Sequence, residues 1–360
     1  MKQRIIDFKT KNQHLIMPVA LIGGFVLDIF TLNQIDQVFD NAILIAHLLI
    51  SGTAIALLFS EGTAFSEKFL TTKRKNFLQT IMVFSFGALF SGFVIFYTRS
   101  GSLLTSWPFI VSMLALMLGT EFRKRYFYRL SLQITVWYMA VLSWAIFFLP
   151  VVLKDMGAKM FILSSIASLV IITLFFILLG RINGPRFYKH QKNILISVVA
   201  VLVVFNGLYA TNIIPPIPLS LKYKAVYYEV TKLNPGYRAQ YERSDWFPLK
   251  KRSRRMYWRE GEDLFVFAQV FAPTKLNATI AHHWEYYDED NRRWVEQNKI
   301  PISISGGRKE GYRGFSKKSH LDYGKWRVRV KSSDGKTLGT VAFSVSPYPK
   351  RIGKLITETL

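Results

Sequence analysis

Four glycines, Gly306, Gly307, Gly311 and Gly314, share the stretch from Ser305 to His320 with five basic residues and two aromatic ones. Glycine lets backbone N–H groups come close to a ligand, and the arginine fork donates two parallel hydrogen bonds to phosphate or carboxylate. Aromatic rings suit sugar or acyl contacts. Read as a loop, the stretch is a candidate anion-recognition site built from Arg308, Lys309, Tyr312, Arg313, Phe315, Lys317 and Lys318. The plainer reading is a glycine-rich hairpin connection whose cations pair with Asp322 or Glu310. The Gly-x-x-x-x-Gly-Lys-Ser/Thr spacing is absent, so this is not a P-loop.

Other reactive groups are sparse. His282 and His283 are adjacent, and on an extended strand they point to opposite faces, so they cannot hold one ion together. His283 and Glu285 share a face without an evident third ligand. No metal and no cofactor is expected. His282 is expected to pack with Ile280 and Trp284, and His283 to be exposed. Zero cysteines exclude disulfides and thiolate chemistry. His-Glu-x-x-His, Gly-x-Ser-x-Gly and nucleotide-binding fingerprints are all missing, so the sequence leans away from an enzyme. Asp28 and His47 fall inside apolar stretches, where ionisable groups are costly. Their depths are similar, which allows a pair in one half of a helical bundle.

The elements that hold these groups are set by hydropathy. Seven apolar stretches run roughly over 14–32, 41–59, 77–97, 103–119, 131–153, 160–180 and 193–214, each near the ~20 residues that cross a bilayer. Alternate connections carry sixteen Lys or Arg on one side and three on the other. That asymmetry is the positive-inside signature, and it places the N-terminus in the cytoplasm and everything after residue 214 outside. The stretch 103–119 is short and contains Trp107 and Pro108, yet without it the cluster from Arg123 to Arg129 would change sides. No small-residue cleavage site follows the first stretch, which is therefore read as retained.

Beyond residue 214 the pattern changes. Pro215, Pro216 and Pro218 impose a short extended linker over 215–221, which would hold the following domain close to the membrane. Short alternating runs then read as strands over 223–230, 264–271, 279–287, 294–297, 326–331 and 337–345. Trp326, Val328 and Val330 alternate with Arg327, Arg329 and Lys331, giving one buried and one wet face. These features predict an all-β immunoglobulin-like sandwich over 222–346, with a small open barrel as the alternative, and a basic tail over 347–360. The formal charge of +24 leaves about +13 in this part, where insertion does not require it. An anionic partner follows from that excess. Lys222, Lys224, Lys250, Lys251, Arg252, Arg254 and Arg255 are the candidates for contact with membrane phosphates. The compartment argues against nucleic acid.

The segments Pro215-Pro216-Ile217-Pro218-Leu219, His282-His283-Trp284-Glu285, Gly306-Gly307-Arg308, Gly311-Tyr312-Arg313-Gly314-Phe315-Ser316, Gly324-Lys325-Trp326-Arg327-Val328 and Phe343-Ser344-Val345 together resemble the bacterial domain of unknown function catalogued as 2914, over roughly residues 215 to 346. The resemblance implies a bacterial source, hence the cytoplasmic membrane. It carries no functional residues.

Three expectations follow. In the first, the outer domain is a binding or sensing module for an anionic lipid head group, a phosphorylated glycan or a partner protein. In the second, a transporter or lipid-handling site lies around Asp28 and His47. In the third, the chain is a scaffold that positions another membrane protein.

Overall fold

The computed structural model describes residues 25, 28, 32, 38–100, 107–115, 130–211, 213–214, 219–234, 236–242, 253–272, 277–305, 311–348 and 355–360. The chain divides into two compact units, one of Met1–Thr98 and Leu103–Ile214, the other of Arg99–Ser102 and Pro215–Leu360. The linker prolines lie outside the described residues.

The first unit is helical. Its elements are α1 (Val38–Phe59), the short α2 (Ala64–Phe69), α3 (Thr72–Ser100), α4 (Leu130–Leu153), α5 (Ala158–Ile182) and α6 (Gly184–Ala210), and residues 107–115 are also helical. Among the described residues, five helices, Phe39–Phe59, Thr72–Thr98, Leu130–Leu153, Ala158–Ile182 and Gly184–Ala210, are long and apolar enough to cross a membrane. The first expected stretch, 14–32, and the cluster from Arg123 to Arg129 fall largely or wholly outside the described residues. Large apolar side chains such as Ile166, Val170 and Leu174 on α5, and Val199 and Val203 on α6, are exposed. That is the surface a helix offers to lipid or to another apolar partner. Close packing comes from small residues. A methyl group on Gly52 would meet the Trp137 indole at 3.1 Å, and one on Gly92 would meet Leu44 Cδ2 at 3.2 Å.

The second unit is built from strands β1 (Ser220–Tyr227), β2 (Glu229–Lys232), β3 (Tyr237–Glu242), β4 (Arg255–Tyr257), β5 (Leu264–Phe271), β6 (Asn277–Asp288), β7 (Arg293–Ser305), β8 (Tyr312–Lys318), β9 (Gly324–Ser332), β10 (Thr337–Ser346) and β11 (Leu355–Thr359). They form three sheets, in the orders β1-β5-β8, β4-β10-β9-β6-β7 and β11-β3-β2. All pairings are antiparallel except that of β10 with β4. The principal core takes Leu264 and Val266 from β5, Trp284 from β6, Trp326 and Val328 from β9, and Phe343 and Val345 from β10. Residues of two sheets thus bury one another's apolar faces. A second cluster gathers Ala225, Tyr227, Val230, Ala239 and Phe267.

Three sequence expectations change here. The stretch after Ser305 is not one loop, since Tyr312–Lys318 is strand β8, paired along its length with β5. Strand β7 continues past residue 297 and through Pro301, which a strand at the sheet edge tolerates because that position need not donate to a neighbour. The region set apart as a tail contains β11, which pairs with β3 from Leu355↔Glu242 to Thr359↔Arg238.

Candidate functional site

Alternation along β8 separates the residues expected to act together. Tyr312, Gly314, Ser316 and Lys318 lie opposite Val270, Ala268, Val266 and Leu264, while Arg313, Phe315 and Lys317 lie opposite Gln269, Phe267 and Phe265. The two sets point to opposite faces of the sheet. Phe315 packs with Tyr237 and Phe265 at centroid distances of 6.0 and 5.8 Å, so its ring belongs to the second cluster. Lys317 pairs with Asp263 at 3.0 Å, and Ser319 donates to the same carboxylate at 2.5 Å. The Ser319 and Lys317 bonds hold the Asp263 carboxyl below its ordinary range. Lys318 binds Asn298 and lies 5.5 Å from the Trp326 ring. Tyr237 Oη donates to the Arg313 carbonyl at 3.0 Å. Arg308 and Lys309 lie outside the described residues.

The candidate lipid-contact residues are drawn together in part. Lys250, Lys251 and Arg252 are outside the described residues. Lys222 stands 5.4 Å from the Phe271 ring centroid. Lys224 on β1 and Arg254, just before β4, are thirty positions apart in sequence, yet their charges act on each other. Both border strand β10. Ser344 N–H donates to the Arg254 carbonyl at 2.9 Å, and the Lys224 ammonium lies where a methyl on Gly339 would come within 3.1 Å of it. Neither Lys224 nor Arg254 has an acidic partner among the described residues. Arg255 is exposed at the start of β4.

Residues not singled out as a site form a cluster of charge-assisted hydrogen bonds on β6 and β9. Glu285 on β6 is 1% exposed, and its carboxylate accepts from Arg327 Nε at 2.5 Å and from Arg329 Nε at 2.6 Å, with Arg329 Nη2 also in contact. Register explains this, because β6 and β9 pair Glu285 with Arg327 and His283 with Arg329. The alternation of Arg327, Arg329 and Lys331 was visible in the sequence. The partner was not, because it depends on which strand lies alongside.

The histidines differ from expectation in one respect. His283 is 8% exposed, not open to solvent, and its Nδ1 lies 2.7 Å from a Glu296 carboxylate oxygen. His282 is fully buried, with Nδ1 2.8 Å from Ser316 Oγ, which also accepts from Trp284 Nε1 at 3.0 Å. His282 Nε2 has no hydrogen-bond partner, and burial lowers the ring's pKa to about 4. No group of three or more metal-ligating side chains converges among the described residues.

In the helical unit, Asp28 and His47 are near enough for their charges to interact. Each is tied to a serine of α3. Ser91 Oγ donates to Asp28 at 2.6 Å, and Ser85 Oγ lies 3.3 Å from His47 Nδ1.

Residues 277–345 match the family described as a protein of unknown function (DUF2914). The match places a domain of unknown function in the C-terminal region, and it spans β6 to β10, including the Glu285 cluster. No curated protein matches the chain. Among solved structures, the Pseudomonas fluorescens alkylpurine DNA glycosylase AlkC bound to DNA containing an abasic site analog is similar at 8% identity and a TM-score of 0.23, over 87% of this chain and 99% of that one. A likeness at that level carries no argument about fold or ligand.

Proposed function

We propose that the chain is a seven-span protein of a bacterial cytoplasmic membrane, with its N-terminus inside and an outward immunoglobulin-like sandwich domain that binds an anionic envelope ligand. The first candidate ligand is a phosphate-bearing lipid head group. The charge alternation of sixteen against three supports the orientation, and five long apolar helices support the membrane placement. The observation that carries the binding function is that Lys224 and Arg254, neither with an acidic partner among the described residues, both border strand β10. Cations of like sign along one strand, with no acid to neutralise them, attract an anion. Burial and the Arg254 charge both lower the Lys224 pKa, so a bound phosphate would restore it.

The test is titration of the full chain, in neutral detergent, with short-chain phosphatidylglycerol against phosphatidylcholine. Binding confined to the anionic lipid, weakened by salt and reduced about tenfold in Lys224→Ala/Arg254→Ala, is expected. Equal binding of both lipids, or no effect of the double substitution, contradicts it.

A second reading is favoured by the polar groups around Asp28 and His47. An acid and an imidazole, each bonded to a serine of α3, could hold a proton or a polar substrate within the span region. Uptake or proton release that disappears in Asp28→Asn and His47→Gln, with lipid binding unchanged, would transfer the function to this site. A scaffold role would show as one protein retained at fixed stoichiometry after mild solubilisation.

A further inference from the structure

The face of β6, β7 and β9 turned away from the core carries a second set of cations, which the head-group reading does not use. Glu285 fixes Arg327 and Arg329 from beneath, since each guanidinium satisfies a different oxygen of the buried carboxylate. One carboxylate neutralises only one of the two arginines. Both Nη groups of Arg327 and Nη1 of Arg329 have no hydrogen-bond partner among the described residues. Lys331 lies on the same face of β9, and burial and then the Arg329 charge lower its pKa. Two further acids lie nearby: Glu296, engaged by His283 and also acting on Arg329 and Lys331, and Glu289, paired with Lys325 at 2.9 Å.

Rings stand beside these cations. The Arg327 guanidinium carbon is 4.2 Å from the Trp294 ring centroid, and Trp294 and Tyr287 are 5.1 Å apart. Lys325 extends the strip, its ammonium 5.1 Å from the Tyr287 ring. None of the rings or guanidinium groups is fully buried. A plain basic surface attracts any polyanion, but two features here narrow the partner. Guanidinium edges held in place suit the paired oxygens of carboxylate or phosphate, and flat rings suit the apolar face of a small ring.

We propose that this face binds an anionic saccharide, whose carboxylate or phosphate meets the outward Nη groups of Arg327 and Arg329 and whose sugar ring lies against Trp294 and Tyr287. The site is separate from Lys224 and Arg254 and does not depend on lipid binding there.

Calorimetric titration of the full chain in neutral detergent tests it, with oligogalacturonate, glucose 6-phosphate, inorganic phosphate and uncharged maltotriose as probes. One or both acidic sugars should bind, inorganic phosphate about tenfold more weakly, and maltotriose not measurably. Arg327→Lys keeps a cation for Glu285 but loses the fork, and should weaken the acidic sugars about tenfold. Trp294→Leu should weaken the sugars by a similar factor and leave phosphate unchanged. Lys224→Ala/Arg254→Ala should leave every titration unchanged, with circular dichroism checking that each variant is folded. The proposal is overturned by failure of both acidic sugars to bind, by binding indifferent to Arg327→Lys and Trp294→Leu, or by phosphate binding as tightly as the sugars. Loss of sugar binding in the Lys224/Arg254 variant would also overturn it, by revealing one diffuse basic surface.

Discussion

His282 is the residue at which chemistry and stability meet most clearly. Trp284 Nε1 can only donate, so Ser316 Oγ accepts from it, and the same oxygen shares a hydrogen bond with His282 Nδ1. The other ring nitrogen, Nε2, is buried with no hydrogen-bond partner among the described residues. Charging this ring inside the core is costly, so its folded pKa of about 4 lies below the ordinary 6.5. The sign follows from linkage. The unfolded chain takes up the proton first as pH falls, so stability is complete above 6.5 and declines until about 4. The loss amounts to about 3 kcal/mol. His282→Phe should flatten this part of the profile, measured by denaturant unfolding of the full chain between pH 7 and pH 4.5. An unchanged slope would mean that other groups set the acid response. The sequence placed His282 on an inner face correctly, because alternation with Ile280 and Trp284 required it. It misplaced His283, whose cover comes from Glu296 on a neighbouring strand.

At the scale of elements, helix ends and strand registers carry information that composition does not. Arg186 donates from Nη1 to the carbonyls of Phe59 and Glu61, each at 3.3 Å, and Asn183 Nδ2 donates to the Glu61 carbonyl at 3.1 Å. The Glu61 carboxylate in turn holds Lys75 and lies 3.8 Å from Arg186. One knot therefore joins the end of α1 to the starts of α3 and α6, and satisfies carbonyls that a helix end leaves open. Lys75 and Arg186 read in the sequence as orientation charges only. Their second role is invisible there because the partners are 14 and 125 positions away. Removing Arg186 strands backbone acceptors, while removing Lys189 does not. Arg186→Ala should lower the thermal stability of the solubilised protein by about 1–2 kcal/mol, and Lys189→Ala by less than about 0.5. Equal effects would reduce the knot to a surface feature. Strand β5 was legible to the residue, since Leu264–Phe271 is an apolar run bounded by turns. Strand β8 was not, because Gly314 and two lysines give Tyr312–Lys318 the look of a solvated loop, and only pairing with β5 makes it a strand.

For the whole molecule, the sequence changes near residue 214 from apolar runs to short alternating strands, and the two compact units are Met1–Thr98 with Leu103–Ile214 and Arg99–Ser102 with Pro215–Leu360. The excess of basic charge in the second unit was equally plain, whereas its sorting into Lys224 and Arg254 beside β10 and a Glu285-anchored face depended on strand register. Both binding proposals assume that this unit faces away from the cytoplasm. The absence of native cysteine makes that assumption directly measurable. Ser333→Cys marks the exposed β9–β10 turn, and Lys73→Cys marks the start of α3. In intact spheroplasts expressing the full chain, a membrane-impermeant maleimide should label Ser333→Cys at once and Lys73→Cys only after permeabilisation. Immediate labelling of Lys73→Cys with protection of Ser333→Cys would contradict the account.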